Sequence, residues 1–124
     1  MQTTLESSIT FSGVGLHSGN SVSLTIEPAS KNHGILFKRK DVEVGNPIVR
    51  ARWDYVSKTT LCTRVTNEDG TTISTIEHLM AALAGCGVSN ALIEIDSEEV
   101  PILDGSAAPF VKGILETGLK IISS

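Results

Sequence analysis

The adjacent residues Glu77 and His78 combine a carboxylate with an imidazole, the two groups that a hydrolytic metal site uses. A catalytic zinc ion is held by neutral imidazole or carboxylate ligands and needs a nearby base for the proton of its bound water. Ser74 is a plausible N-cap, so the sequence predicts both residues in the first turn of a helix. The helix dipole there favours an ionised carboxylate and disfavours an imidazolium.

The same residues also fit a purely structural interpretation. Ser74-Thr75-Ile76-Glu77 has the spacing of a capping box, in which a Glu three residues after a Ser cap bonds back to the backbone N–H of the cap. His78 lies beside an apolar stripe, which is equally typical of a structural histidine. The local pattern leaves the catalytic and the structural interpretations open.

Alternating apolar and polar residues predict strands in the first two thirds of the chain. Residues 9–11 and 21–27 alternate in this way, and the glycine-rich segment 13–20 between them predicts a long hairpin connection. Further strands are predicted at residues 34–38, 48–52, 59–66, 71–73 and 90–96.

Helical spacing of apolar residues appears twice, later in the chain. Ile76, Leu79, Met80 and Leu83 form one stripe, with Gly85 or Gly87 as the stop. A second helix is predicted from about Ser106 to Thr117 and ends at Gly118; its buried side is Phe110, Val111, Ile114 and Leu115. The order of elements predicts a single α+β domain, residues 1–124, with a mainly antiparallel sheet covered on one face by two helices.

Composition excludes several classes of protein. The chain has 124 residues, of which 40% are hydrophobic and 19% charged, and its net charge is −4. These values are typical of a globular domain and argue against a nucleic-acid interface, which requires a basic patch. Neither an apolar stretch of membrane-spanning length nor an export signal is visible. The two cysteines, Cys62 and Cys86, are expected to be reduced, which predicts a cytoplasmic location.

Four blocks of sequence resemble the bacterial UDP-3-O-acyl-N-acetylglucosamine deacetylases, zinc amidases of lipid A biosynthesis. The blocks are residues 13–19 (GVGLHSG), 60–63 (TLCT), 74–83 (STIEHLMAAL) and 101–110 (PILDGSAAPF). They occur in the order found in that family and span almost the whole chain. The resemblance implies a fold like domain 2 of ribosomal protein S5, as one of the two similar domains of the enzyme.

The resemblance also implies a role for each matching position. His78 would be a zinc ligand, and Glu77 the general base that deprotonates the zinc-bound water as it attacks the acetamide of the nucleotide sugar. The resemblance places a further set of residues around the metal and the substrate entrance: Thr60, Leu61, Cys62, His17 and Asp104.

Each of these supporting residues has a simpler interpretation. His17 in a glycine-rich loop is often only solvated, Cys62 on a strand is usually part of a core, and Asp104 before Gly105 is typical of a turn or a helix cap. The acidic run Glu94, Asp96, Glu98 and Glu99 is most simply a solvated face.

The resemblance covers only the first of the two domains of the family. It implies that the other zinc ligands, a His and an Asp one helical turn apart, belong to the second domain, and no His-x-x-x-Asp pattern occurs in this sequence. Since a catalytic zinc normally has three protein ligands, we expect the 124-residue chain alone to be inactive. Iron could replace zinc at such a site.

Without the second domain, the helix face carrying Met80, Leu83, Phe110 and Ile114 is expected to lack a full cover. Such a patch predicts contact with the second domain or self-association. The alternative function is a non-catalytic binding or regulatory module descended from the same domain. An RNA-binding domain is disfavoured by the acidic balance and by an aromatic content of only 4%.

Overall fold

The structure is a computed structural model that describes residues 1–51, 56–58 and 63–123. Within these ranges the strands, in chain order, are β1 (Gln2–Leu5), β2 (Ile9–Val14), β3 (Ser21–Pro28), β4 (Ile35–Arg39), β5 (Ile48–Arg50), β6 (Val56–Lys58), β7 (Thr63–Thr66), β8 (Thr72–Ser74), β9 (Ala91–Ile95) and β10 (Leu119–Ser123). The helices are α1 (Glu77–Cys86), between β8 and β9, and α2 (Ala108–Thr117), between β9 and β10.

The largest sheet has the strand order β2-β3-β9-β4-β5, and its pairs are antiparallel except β4 with β9. Alternation along β3 and β9 places Leu24 opposite Ile95, and Ile26 opposite Ile93, on one fully buried face. These side chains belong to the same apolar core as residues of both helices. The predicted hairpin and the predicted fold class, an α+β domain with two helices on a mainly antiparallel sheet, are confirmed.

Two smaller sheets complete the described fold. Strands β6, β7 and β8 form one of them, in that order, immediately before α1. Strands β1 and β10 form the other and join residues near the two ends of the described chain, with Leu5 opposite Leu119. Neither β1 nor β10 is predicted from the sequence, because a strand of four or five residues is too short to show a clear alternating pattern.

Helix α2 packs closely against β2. The rings of Phe110 and Phe11 meet edge to face, with centroids 4.9 Å apart. A Cβ atom on Gly113 would come within 2.6 Å of both Phe11 and Ile9, so glycine is needed at this contact. The helix ends before Gly118, as predicted, but Leu115 is 60% exposed, so its predicted burial is wrong.

The helix face that was expected to lie uncovered is mostly buried within this domain. Leu83, Phe110 and Ile114 are each at most 1% exposed, and only Met80 of the four is half-buried. The prediction of an exposed apolar patch at these residues is therefore wrong, because the sheet and the other helix already cover it. Among the described residues, no helix is long and apolar enough to cross a membrane.

Candidate functional site

Glu77 and His78 are the first two residues of α1, as the sequence predicted. Both side chains are half-buried. The first turn of a helix presents backbone N–H groups and the positive end of the helix dipole. The predicted N-cap is wrong: Ser74 is the last residue of β8, and Ile76 occupies the cap position without a side-chain hydrogen bond.

The two oxygens of the Glu77 carboxylate differ. Oε2 accepts a hydrogen bond from the backbone N–H of Thr63 at 3.1 Å. Oε1 is buried and has no hydrogen-bond partner in the part of the chain that the structure describes. The capping box is excluded, because the Ser74 N–H donates instead to the carbonyl of Glu98 at 2.8 Å. A buried carboxylate oxygen left without a donor costs free energy, and a functional role is one explanation for retaining it.

Thr75 turns the chain from β8 into α1 through a left-handed backbone conformation. Its φ is 60°, which is unfavourable for a β-branched residue and costs about 1–3 kcal/mol. Two contacts hold it there: its N–H donates to the Thr63 carbonyl at 2.8 Å, and its hydroxyl donates to Oε2 of Glu99 at 2.5 Å. The approach to Glu77 is therefore fixed by tertiary contacts rather than by a helix cap.

His17 lies in the segment of residues 15–19 that follows β2, here called the histidine loop. The His17 side chain is exposed, while its backbone N–H donates to both oxygens of Glu99, at 3.0 and 3.2 Å. The next residue, Ser18, donates its N–H to Glu99 Oε1 at 2.9 Å. Glu99 thus connects the histidine loop to Thr75, two residues before Glu77.

Asp104 is exposed, and its carboxylate is engaged locally. Oδ1 accepts hydrogen bonds from the Ser106 N–H at 2.9 Å and from the Ser106 hydroxyl at 2.7 Å. This is the side-chain turn that the simpler interpretation predicted. The segment nevertheless lies next to β2, because the Ile102 N–H donates to the Val14 carbonyl at 2.9 Å. The role of Asp104 in substrate binding stays a prediction.

Thr60, Leu61 and Cys62 lie outside the described residues, so their predicted place at the substrate entrance stays a prediction. Within the described ranges no group of three or more His, Cys, Asp or Glu side chains is placed to hold a metal ion. His78 can therefore contribute one imidazole, and a catalytic zinc would need further ligands from elsewhere.

The family model described as UDP-3-O-acyl N-acetylglycosamine deacetylase matches residues 2–124 of this chain. The chain belongs to this family. Relatives named UDP-3-O-acyl-N-acetylglucosamine deacetylase from Idiomarina loihiensis, Shewanella woodyi and Histophilus somni are 50%, 51% and 51% identical to it. Each match covers 96% of this chain but only 39% of the relative. The resemblance found in the four sequence blocks is confirmed, and the chain spans about two fifths of the length of these deacetylases.

Glu99 is the residue of this deacetylase-family site that the sequence analysis missed. It was assigned to a solvated acidic run, but it is 2% exposed. Burial raises the pKa of its carboxyl, whereas the hydrogen bonds from the Thr75 hydroxyl and from the backbone N–H groups of Ser18 and His17 lower it by more. The pKa therefore lies below its ordinary value. No local signal marks Glu99, because its donors are 24 to 82 residues away in the sequence.

Proposed function

We propose that this chain supplies the general base and one metal ligand of a zinc-dependent deacetylase that hydrolyses the acetamide of UDP-3-O-acyl-N-acetylglucosamine. The observation that carries the proposal is the buried Oε1 of Glu77 beside His78, which has no hydrogen-bond partner among the described residues, in a chain of the deacetylase family. The substrate follows from the names of the relatives. The role in lipid A biosynthesis and the cytoplasmic location belong to the same proposal.

The residues present fit a metal centre in part. His78, in the first turn of α1, would hold the metal through a nitrogen of its imidazole ring. Zinc, when bound, would polarise the acetamide carbonyl and activate a water by lowering its pKa to about 7. We propose that the remaining ligands come from a second domain outside these 124 residues, and iron is the alternative metal.

The chemical role of Glu77 follows from its hydrogen bonds. Thr63 fixes Oε2, so Oε1, which accepts no hydrogen bond from the part of the chain that the structure describes, is held in place with its lone pairs available for a proton. Glu77 takes the proton of the attacking water as the water oxygen bonds to the acetamide carbon. The C–N bond then breaks, and the nitrogen takes up a proton, so that the products are acetate and the free amine of the sugar. We propose that the second domain stabilises the oxyanion and protonates the amine.

The other residues to which the family resemblance assigns a role complete the proposal. Thr60, Leu61 and Cys62 would line the substrate entrance, and His17 and Asp104 would contact the substrate at its edge. Glu99 accepts hydrogen bonds from both the His17 N–H and the Thr75 hydroxyl, and this supports a place for His17 near Glu77.

The test is made in the full-length protein that carries this chain. Glu77→Gln keeps the shape of the side chain but removes the base, so we expect kcat to fall by about 10²–10⁴-fold with metal content retained. His78→Ala should lose both metal and acetate release. Glu43→Gln and His33→Ala, which change an exposed carboxylate and a histidine with no predicted role, are the matched controls.

Two outcomes would count against this assignment. Full acetate release in both site variants would reject it. A folded, metal-loaded wild type that binds the nucleotide sugar but releases no acetate would instead favour the non-catalytic module.

A further inference from the structure

The segment of residues 98–102 lies between two parts of the candidate site. On one side it runs parallel to the end of β8, where the Ser74 N–H donates to the Glu98 carbonyl at 2.8 Å. On the other side the Ile102 N–H donates to the Val14 carbonyl, at the end of β2. The segment therefore joins the strand that precedes α1 to the strand that precedes the histidine loop.

The charged side chain of Glu99 also connects the histidine loop to the residues that precede α1. Its Oε1 accepts hydrogen bonds from the backbone N–H groups of His17 and Ser18, and its Oε2 accepts one from the Thr75 hydroxyl. At 2% exposure these bonds have little competition from water, so each is stronger than it would be at the surface.

Two costly features of the backbone accommodate this carboxylate. Thr75 keeps a left-handed conformation that β-branched residues avoid, and its hydroxyl thereby reaches Glu99. Gly15 has no side chain at a point where a Cβ atom would collide with the Glu99 carboxylate and the Ser18 hydroxyl. Strain and close approach of this kind persist where the surrounding contacts determine the geometry, and they are concentrated at functional sites.

We propose that Glu99 is a positioning residue for the deacetylation. Its buried carboxylate locks the histidine loop to Thr75, and so fixes where Glu77 and His78 stand relative to His17. Glu99 itself touches neither substrate nor metal in this proposal. The inference rests on the proposed function, because it presumes that Glu77 and His78 act in catalysis.

The experiment compares Glu99→Gln with Glu98→Gln in the full-length protein, below the unfolding temperature of each. Glu98 is the exposed neighbour and gives the matched control. Because an error of about 1 Å in the position of a catalytic group costs about 10²-fold, we expect Glu99→Gln to lower kcat/KM by about 10- to 100-fold at unchanged metal content. Amide hydrogen exchange of His17 and Ser18 should become faster in Glu99→Gln and stay unchanged in Glu98→Gln.

Variants of Thr75 provide a test that does not depend on replacing the buried charge. Thr75→Ser retains the hydroxyl donor and should keep kcat/KM within about threefold, whereas Thr75→Val removes it and should resemble Glu99→Gln. The double variant of Glu99→Gln and Thr75→Val should be no worse than either single change, because both break the same connection. If Glu99→Gln does not fold, the comparison of the two Thr75 variants decides.

The outcomes separate this inference from the proposed function. Full kcat/KM in Glu99→Gln and Thr75→Val, with Glu77→Gln inactive, would overturn the positioning role alone. A loss of thermal stability in Glu99→Gln without any change in kcat/KM would also overturn it, since it would show a merely structural role. Full activity in Glu77→Gln would overturn the proposed function.

Discussion

Glu77 and Glu99 both accept hydrogen bonds from backbone N–H groups, but their carboxylates are left in different states. Glu99 has donors on both oxygens, and Glu77 has one donor on Oε2 and none on Oε1 among the described residues. A carboxylate whose oxygens are occupied holds structure together, whereas one with a free buried oxygen can still take a proton. This difference separates the positioning role proposed for Glu99 from the general-base role proposed for Glu77.

The lowered pKa of Glu99 predicts how stability depends on pH. A carboxyl whose pKa is lower in the folded state than in the unfolded state stabilises the protein at pH values above its ordinary pKa of 4.5. This contribution is lost as the pH falls through the pKa of the folded state. We expect Glu99→Gln to lower the free energy of unfolding by about 1.5–3 kcal/mol at neutral pH, which is the worth of hydrogen bonds to a charged group. The deficit should shrink as the pH falls below 4.5 toward the lower pKa of the folded state.

Urea unfolding at a series of pH values measures this deficit. Glu98→Gln, the exposed control, should follow the wild type at every pH. A deficit for Glu99→Gln that stayed constant down to about pH 3 would show that the charge of Glu99 does not contribute.

At this scale the sequence predicted the positions of Glu77 and His78 but not their contacts. Two adjacent residues at a helix start are a local pattern, and they lie there although the cap is Ile76 rather than Ser74. The Glu99 contacts were not predictable, because periodicity reports which face of a strand is buried and not which distant N–H groups meet it.

At the level of elements, the two glycines at the end of α1, Gly85 and Gly87, differ in their effect on the helix. Gly87 has a φ of 77° and closes the helix by donating its N–H to the Ala84 carbonyl, whereas Gly85 lies inside the helix, and a Cβ atom there would meet open space. We expect Gly87→Ala to destabilise the protein by about 1–2 kcal/mol. Gly85→Ala should stabilise it by about 0.5–1 kcal/mol.

Thermal or urea unfolding of the two alanine variants gives the comparison directly. The changes are chemically identical and lie two residues apart, so each is the control for the other. Equal effects from both would mean that the left-handed cap contributes nothing to the stability of α1.

The elements with clear periodicity were predicted close to their observed bounds. The hairpin of β2 and β3, the strand β9 and the helix α2 all follow from alternation or helical spacing. The parallel pairing of β4 with β9 was not predicted, since four described strands and the helix α1 separate the two segments along the chain. Local pattern gives the existence of an element more reliably than its partners.

For the whole molecule, the candidate site is incomplete within the described residues. His78 is the one metal ligand proposed there, and no group of three metal-binding side chains is present among those residues. We therefore expect the 124-residue chain alone to bind zinc weakly and to release no measurable acetate from the nucleotide sugar. Zinc titration against a competing chelator and an acetate assay test this, with the full-length protein as reference. Hydrolysis by the short chain at a rate near that of the reference would refute it.

The pairing of β1 with β10 has a consequence for how this domain is synthesised. Strand β1 is synthesised before its partner β10, and at ribosomal rates roughly ten seconds pass before β10 is available for pairing. Leu5 is fully buried in the finished domain, and we expect its side chain to stay accessible during that interval. An unpaired strand edge is a template for pairing with other chains. The nascent domain is therefore expected to depend on chaperone protection until residues 119–123 have left the ribosome.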